Sequence, residues 1–110
     1  MPKYLILFTL TDEAIARMME LPTDREAELQ AVLTSLGGRL EGYYGMTGPY
    51  DGCVVVQLPD HSTAAALRFA VQSTGAFVHL EVHELFPASD IVAVMQRARD
   101  VYRQYRPPGA

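Results

Sequence analysis

Residues 39–58, RLEGYYGMTGPYDGCVVVQL, decide the fold. Aromatic and β-branched residues fill both arms and Thr47, Gly48 and Pro49 break the run between them, the pattern of two strands joined by a turn. In the second arm Val54 and Val56 alternate with Cys53 and Val55, so both faces of that strand are apolar and both need cover. Upstream, KYLILFTL (3–10) repeats the property, with Tyr4, Ile6 and Phe8 on one side and Leu5 and Leu7 on the other. The strands over 3–10 and 52–58 are therefore read as the central pair of one sheet.

Helical signals fill the connections. From Asp12 to Glu20, Ala14, Ile15, Met18 and Met19 share one side before Pro22 interrupts. Thr23 and Glu26 have the spacing of a capping box, with Thr23 as N-cap. The helix they open carries a stripe of Leu29, Val32, Leu33 and Leu36 and stops at Gly37 and Gly38. After the hairpin, Asp60 is the expected N-cap of a helix that buries Ala64, Leu67, Ala70 and Val71 and ends at Gly75.

The last strand, VHLEVHELF (78–86), sets Val78, Leu80 and Val82 toward one face and His79, Glu81 and His83 toward the other. A final helix, capped by Ser89 or Asp90, repeats Ile91, Val94, Met95, Ala98, Val101 and Tyr102 at helical spacing, with Arg97, Arg99 and Arg103 largely off that face. The order β-α-β-β-α-β-α, with right-handed crossovers around a hairpin, predicts an α+β ferredoxin-like sheet of order 4-1-3-2 with an extra C-terminal helix. One layer of helices leaves the second sheet face bare. A second copy of the chain is the expected cover, which predicts a homodimer or higher homo-oligomer with facing sheets.

The 110 residues, 49% hydrophobic and 20% charged, suit one domain over 1–104 with RPPGA and the preceding Tyr105 as a flexible tail over 105–110. A formal net charge of −4 argues against nucleic acid as a partner, because phosphate neutralisation requires cations. The single Cys53 forms no internal disulfide, and the apolar run at the N-terminus is too short for a signal sequence or membrane span. A cytoplasmic setting with no membrane partner is expected.

The segments MPKYLILFTLTD, EGYYGMTGPYDG, CVVVQLPD and STAAALRFA together resemble the GYD domain family of small bacterial proteins, over roughly residues 1 to 95. The resemblance implies a dimeric α+β barrel and no defined shared reaction. Its motif residues here are Gly48, Tyr50 and Asp51. A similar hairpin occurs in the effector domains of leucine-responsive regulators, which bind small ligands between subunits, although this chain lacks their DNA-binding helices. The plain physical role of the motif is hairpin construction, with Gly48 at a turn position of positive φ and Asp51 accepting backbone amides. His79 and His83 depart from the family pattern.

Neighbouring members of the His79, Glu81, His83 row stand ~6.6–6.8 Å apart, so Glu81 and one histidine can converge on an ion while all three cannot. The expected site is a divalent metal, zinc, nickel, copper or iron(II), on Glu81, His79 or His83 and a third group from another strand or the partner subunit, with a small-molecule ligand on the open face at the interface. Whether that makes a metalloenzyme is left open. One alternative is a metal-free oxygenase or isomerase for a small aromatic or enolisable substrate, as in the related antibiotic-biosynthesis monooxygenases, with Glu81 and a histidine as base and Tyr43 or Tyr44 positioning an oxygen. Another is a non-enzymatic ligand sensor or interaction module in which the row only protects a sheet edge. Cys53 is read as core and His61 as solvated surface.

Overall fold

The computed structural model describes residues 1–110. Strands β1 (Lys3–Leu10), β2 (Arg39–Gly45), β3 (Gly52–Gln57) and β4 (Phe77–Leu85) form one antiparallel sheet in the order β2-β3-β1-β4. Helices α1 (Asp12–Glu20) and α2 (Arg25–Ser35) connect β1 to β2, α3 (His61–Gln72) connects β3 to β4, and α4 (Ile91–Gln104) follows a short 3-10 turn. This is the connectivity and strand order of a ferredoxin-like fold, with β1 and β3 central and β4 at an edge, as the alternation in those strands implied.

Tyr4, Ile6, Phe8, Val54, Val56 and Leu80 point from the sheet into one core, where Leu33 of α2, Leu58, and Ala64 and Leu67 of α3 meet them. Leu33, Val56 and Leu58 are fully buried, so Leu33→Ala carries the cost of a core cavity, about 2–5 kcal/mol. Gly52 lies opposite Phe8 in the β1–β3 register, and a Cβ there would collide with the Phe8 ring and the Tyr44 carbonyl. The close approach of that ring explains the glycine.

Local chemistry sets the element ends. Asp60 caps α3 by accepting the Thr63 N–H at 2.8 Å, and this bond holds its carboxyl pKa below the usual value. Gly37 and Gly75 stop α2 and α3 with φ of +77°.

Several details differ from the sequence reading. On α3 Ala64 and Leu67 are buried and Val71 is half-buried, but Ala70 is exposed. Asp24, not Thr23, caps α2, accepting the Ala27 N–H at 3.0 Å. The one-residue shift moves Glu26 off the position a capping box requires. Val78 is the extra residue of a β-bulge where the β1–β4 register shifts, so it is exposed while Phe77 turns inward onto Phe8, ring centroids 5.7 Å apart. Gly48 does not have positive φ, and space around it is open. On α1 only Ala14 is buried, leaving Met18 and Met19 exposed. No residue of α4 is buried, and Asp90 at its start makes no side-chain capping bond. The radius of gyration is 17.7 Å, against about 13 Å for a compact chain of this length.

Tyr4 is 2% exposed, and its buried hydroxyl has no hydrogen-bond partner. Burial pushes the phenol pKa up, and the charges of Glu84 and Asp60 add to that. A buried donor without an acceptor is destabilising. Tyr4→Phe is therefore expected to leave the fold intact and raise the unfolding free energy measured in urea by about 1 kcal/mol; a loss of about that size would show that the hydroxyl is satisfied.

Candidate functional site

The antiparallel register sets His79 beside Thr9, Glu81 beside Leu7 and His83 beside Leu5. These residues alternate with the core-facing Tyr4, Ile6 and Phe8, so the row stands on the open face of the sheet. There the Glu81 carboxylate is held from both sides: His79 Nε2 lies 2.9 Å from Oε2 and His83 Nε2 lies 2.8 Å from Oε1. The Tyr50 hydroxyl donates a hydrogen bond to Oε2, and the Tyr50 ring lies near the His79 ring, centroids 6.3 Å apart.

Tyr50 reaches Glu81 because the hairpin is tied to the end of β1. The Leu10 N–H donates to Asp51 Oδ2 at 2.8 Å, Asp51 N–H donates to the Phe8 carbonyl at 2.8 Å, and Thr9 Oγ1 donates to the Pro49 carbonyl at 3.0 Å. Asp51 thus builds the hairpin, and its neighbour Tyr50 is delivered across Thr9 toward β4. Gly48 belongs to the same loop, and a side chain there would meet open space.

Bond donation dominates the electrostatics. The Glu81 pKa is lowered to about 2, first by the Tyr50 hydroxyl and then by His83 and His79. The same bond raises the Tyr50 phenol pKa. A carboxylate this acidic is poorly matched to proton abstraction near neutral pH; with Glu81 ionised, each imidazole donates through Nε2–H and the cluster is a set of satisfied partners.

The arrangement also bears on metal chemistry. Both histidine Nε2 atoms aim at the carboxylate rather than at a common point beyond it, and no group of three or more His, Cys, Asp or Glu side chains is placed to hold a metal ion. Within one chain the expected third ligand is not supplied.

The other candidates are dispersed. Tyr43 faces the helices and packs edge-on against Phe8, ring centroids 6.1 Å apart. Tyr44 faces the open side and is exposed, but the register Tyr44–Cys53–Leu7–Glu81 sets it three strands away, ~14 Å. Cys53 is not core: it is half-buried on the open face, two strands from Glu81. His61 is exposed at the start of α3. The tyrosine that completes the cluster, Tyr50, was legible only as part of the hairpin motif, because no spacing rule links residue 50 to residue 81.

The central apolar patch of Leu5, Leu7, Cys53 and Val55 is flanked by two carboxylate clusters, Glu81 at one edge and Glu41 at the other. The Glu41 pKa is lowered by a hydrogen bond from Gln57 and by Lys3, whose Nζ lies 3.1 Å away. Fold and face together define a small α+β protein with a single helical layer and an open, partly apolar sheet. The GYD domain model matches residues 4–95, and the chain belongs to that family. It is similar to a protein of Thermus thermophilus described as "Glutamine synthetase and cystathionine beta-lyase binding protein", 29% identical over 93 residues that span 84% of this chain and 97% of that one. No helix is long and apolar enough to cross a membrane.

A depressed carboxyl pKa contributes stability that is fully present above the ordinary value of 4.5 and lost as pH falls through about 2. Tyr50→Phe removes the largest cause of that depression, so the Glu81 carboxyl carbon, followed by NMR, is expected to titrate at higher pH in the variant. An unchanged midpoint would show that the histidines alone hold the charge.

Proposed function

We propose that this protein is a non-enzymatic interaction module that pairs with a second copy across its open sheet face and presents α4 to an enzyme. The observation that carries the reading is α4 itself. It is amphipathic over fourteen residues, yet none is buried, and Val92, Met95, Val101 and Tyr102 are among its exposed apolar side chains, Tyr102 at 82%. An apolar helix face without an intrachain partner is a recognition element of the helix-in-groove kind.

Surface area supports the pairing. The chain exposes 7901 Å², whereas a folded monomer of its mass exposes about 6,100 Å². The excess exceeds the ~800 Å² per partner of a standard interface. Facing sheets would cover Leu5, Leu7, Cys53 and Val55 and complete a dimeric α+β barrel. The relative of T. thermophilus is a protein that binds glutamine synthetase and cystathionine beta-lyase, so enzymes of these two kinds are the first partners to try.

A divalent metal on Glu81 and one histidine, as the sequence pattern suggested, would need its third ligand from the second subunit and would displace Tyr50 or an imidazole. A metal-free catalytic reading would rest on the same cluster and meets the mismatch between a carboxyl pKa of about 2 and general-base work.

Size-exclusion chromatography of the full chain with purified glutamine synthetase and with cystathionine beta-lyase from the same organism tests the module. Co-elution with one of them at micromolar concentration is expected, together with its loss in Met95→Glu/Tyr102→Glu at unchanged melting temperature, since neither side chain packs in the core. Co-elution that survives the double substitution would remove α4 as the contact, and no complex with either enzyme would remove those partners.

A further inference from the structure

On the side of the sheet opposite the Glu81 cluster, α2 and α3 leave a cavity of ≈ 80 Å³ lined by residues of all four strands. Ten of its twelve lining residues are hydrophobic, among them Phe8, Tyr43, Phe77, Leu80 and Val82; the other two are Arg25 and Arg68. In a chain of formal net charge −4, no acidic side chain lines this cavity.

The two arginines are not equivalent. Arg25 is half-exposed and already paired with Glu28. Arg68 is half-buried on α3 beside the core residue Leu67, makes no ion pair, and its guanidinium lies over the Phe69 ring, 5.5 Å from the ring centroid. An arginine with no ion pair at an otherwise apolar cavity leaves its charge free for an anion, and its planar fork fits a carboxylate through two parallel bonds.

We infer that the cavity is a binding site for a small monocarboxylate with a compact apolar body, its carboxylate on Arg68 and its body against Phe8, Phe77 and Leu80. A monoanion suits a single free arginine better than a phosphate dianion, whose second charge would be buried unpaired. The volume admits on the order of six water-sized groups, which fits a short branched or aromatic acid and excludes a long acyl chain. The site is independent of the interaction module: it uses neither the open sheet face nor α4.

The test is a ¹H–¹⁵N NMR titration of the full chain with 4-methylpentanoate and with the neutral 4-methylpentan-1-ol. It uses the parent protein, Arg68→Gln, Arg25→Gln and Val71→Phe, the last filling the cavity from its rim. Saturable shifts at amides around the cavity are expected with both compounds. Arg68→Gln should weaken the carboxylate at least about ten-fold while moving the alcohol less than about two-fold, the signature of one charge-assisted bond. Arg25→Gln should weaken the carboxylate less than Arg68→Gln does, because Arg25 is already paired with Glu28, and Val71→Phe should abolish both. Retained carboxylate affinity in Arg68→Gln, shifts scattered over the surface, or no saturation at millimolar acid would overturn the assignment. So would a Val71→Phe variant that alters self-association while the parent binds no acid, because the cavity would then seat protein.

Discussion

Strands β1 and β3 are apolar on both faces, and one layer of helices can cover only one of them. That constraint organises the molecule. On the helical side Tyr4, Ile6, Phe8, Val54 and Val56 find Leu33 and Leu67 and become core. On the other side Leu5, Leu7, Cys53 and Val55 remain half-buried in a patch with charged clusters at its edges. A hydrophobic patch with a polar rim is the anatomy of an interface rather than of a solvated surface.

The hairpin links that architecture to the Glu81 cluster. Asp51 spends its carboxylate on the Leu10 N–H, which fixes the loop against the end of β1, and the loop then carries Tyr50 over to β4. The Tyr-Asp pair therefore divides its work: Asp51 secures the turn and Tyr50 secures a charge on the edge strand. With His79 and His83 holding the same carboxylate, the edge of the sheet bears an ordered polar group where an unprotected strand would invite unwanted pairing.

Much of the fold could be read directly from residue patterns. Alternation in 3–10 and 52–58 placed those strands centrally, Asp60 named its own cap, and Gly37 and Gly75 marked helix ends that require positive φ. The failures share a cause, which is that local pattern does not report what lies across a gap in the chain. Thr23 and Asp24 are both competent caps, and only the path of the backbone after Pro22 selects between them. Val78 follows the strand alternation on paper, yet a bulge opposite Thr9 and Leu10 turns Phe77 inward instead. The stripe on α4 was visible, but a stripe says only that something apolar must meet it. For the site, the row of His79, Glu81 and His83 was legible from strand periodicity; its partner Tyr50 and the cavity beside Arg68 arise from tertiary placement, which periodicity does not encode.

Cover of the open sheet face by a second copy is the central claim, and sedimentation velocity of the full chain at micromolar concentration addresses it most directly. Pairing predicts a particle of twice the 12.2 kDa chain mass, and dissociation in Leu7→Lys with the circular-dichroism spectrum unchanged, because Leu7 points away from the helical core. A parent protein that sediments at 12.2 kDa would contradict it, since β1 and β3 would then expose their second apolar face to water.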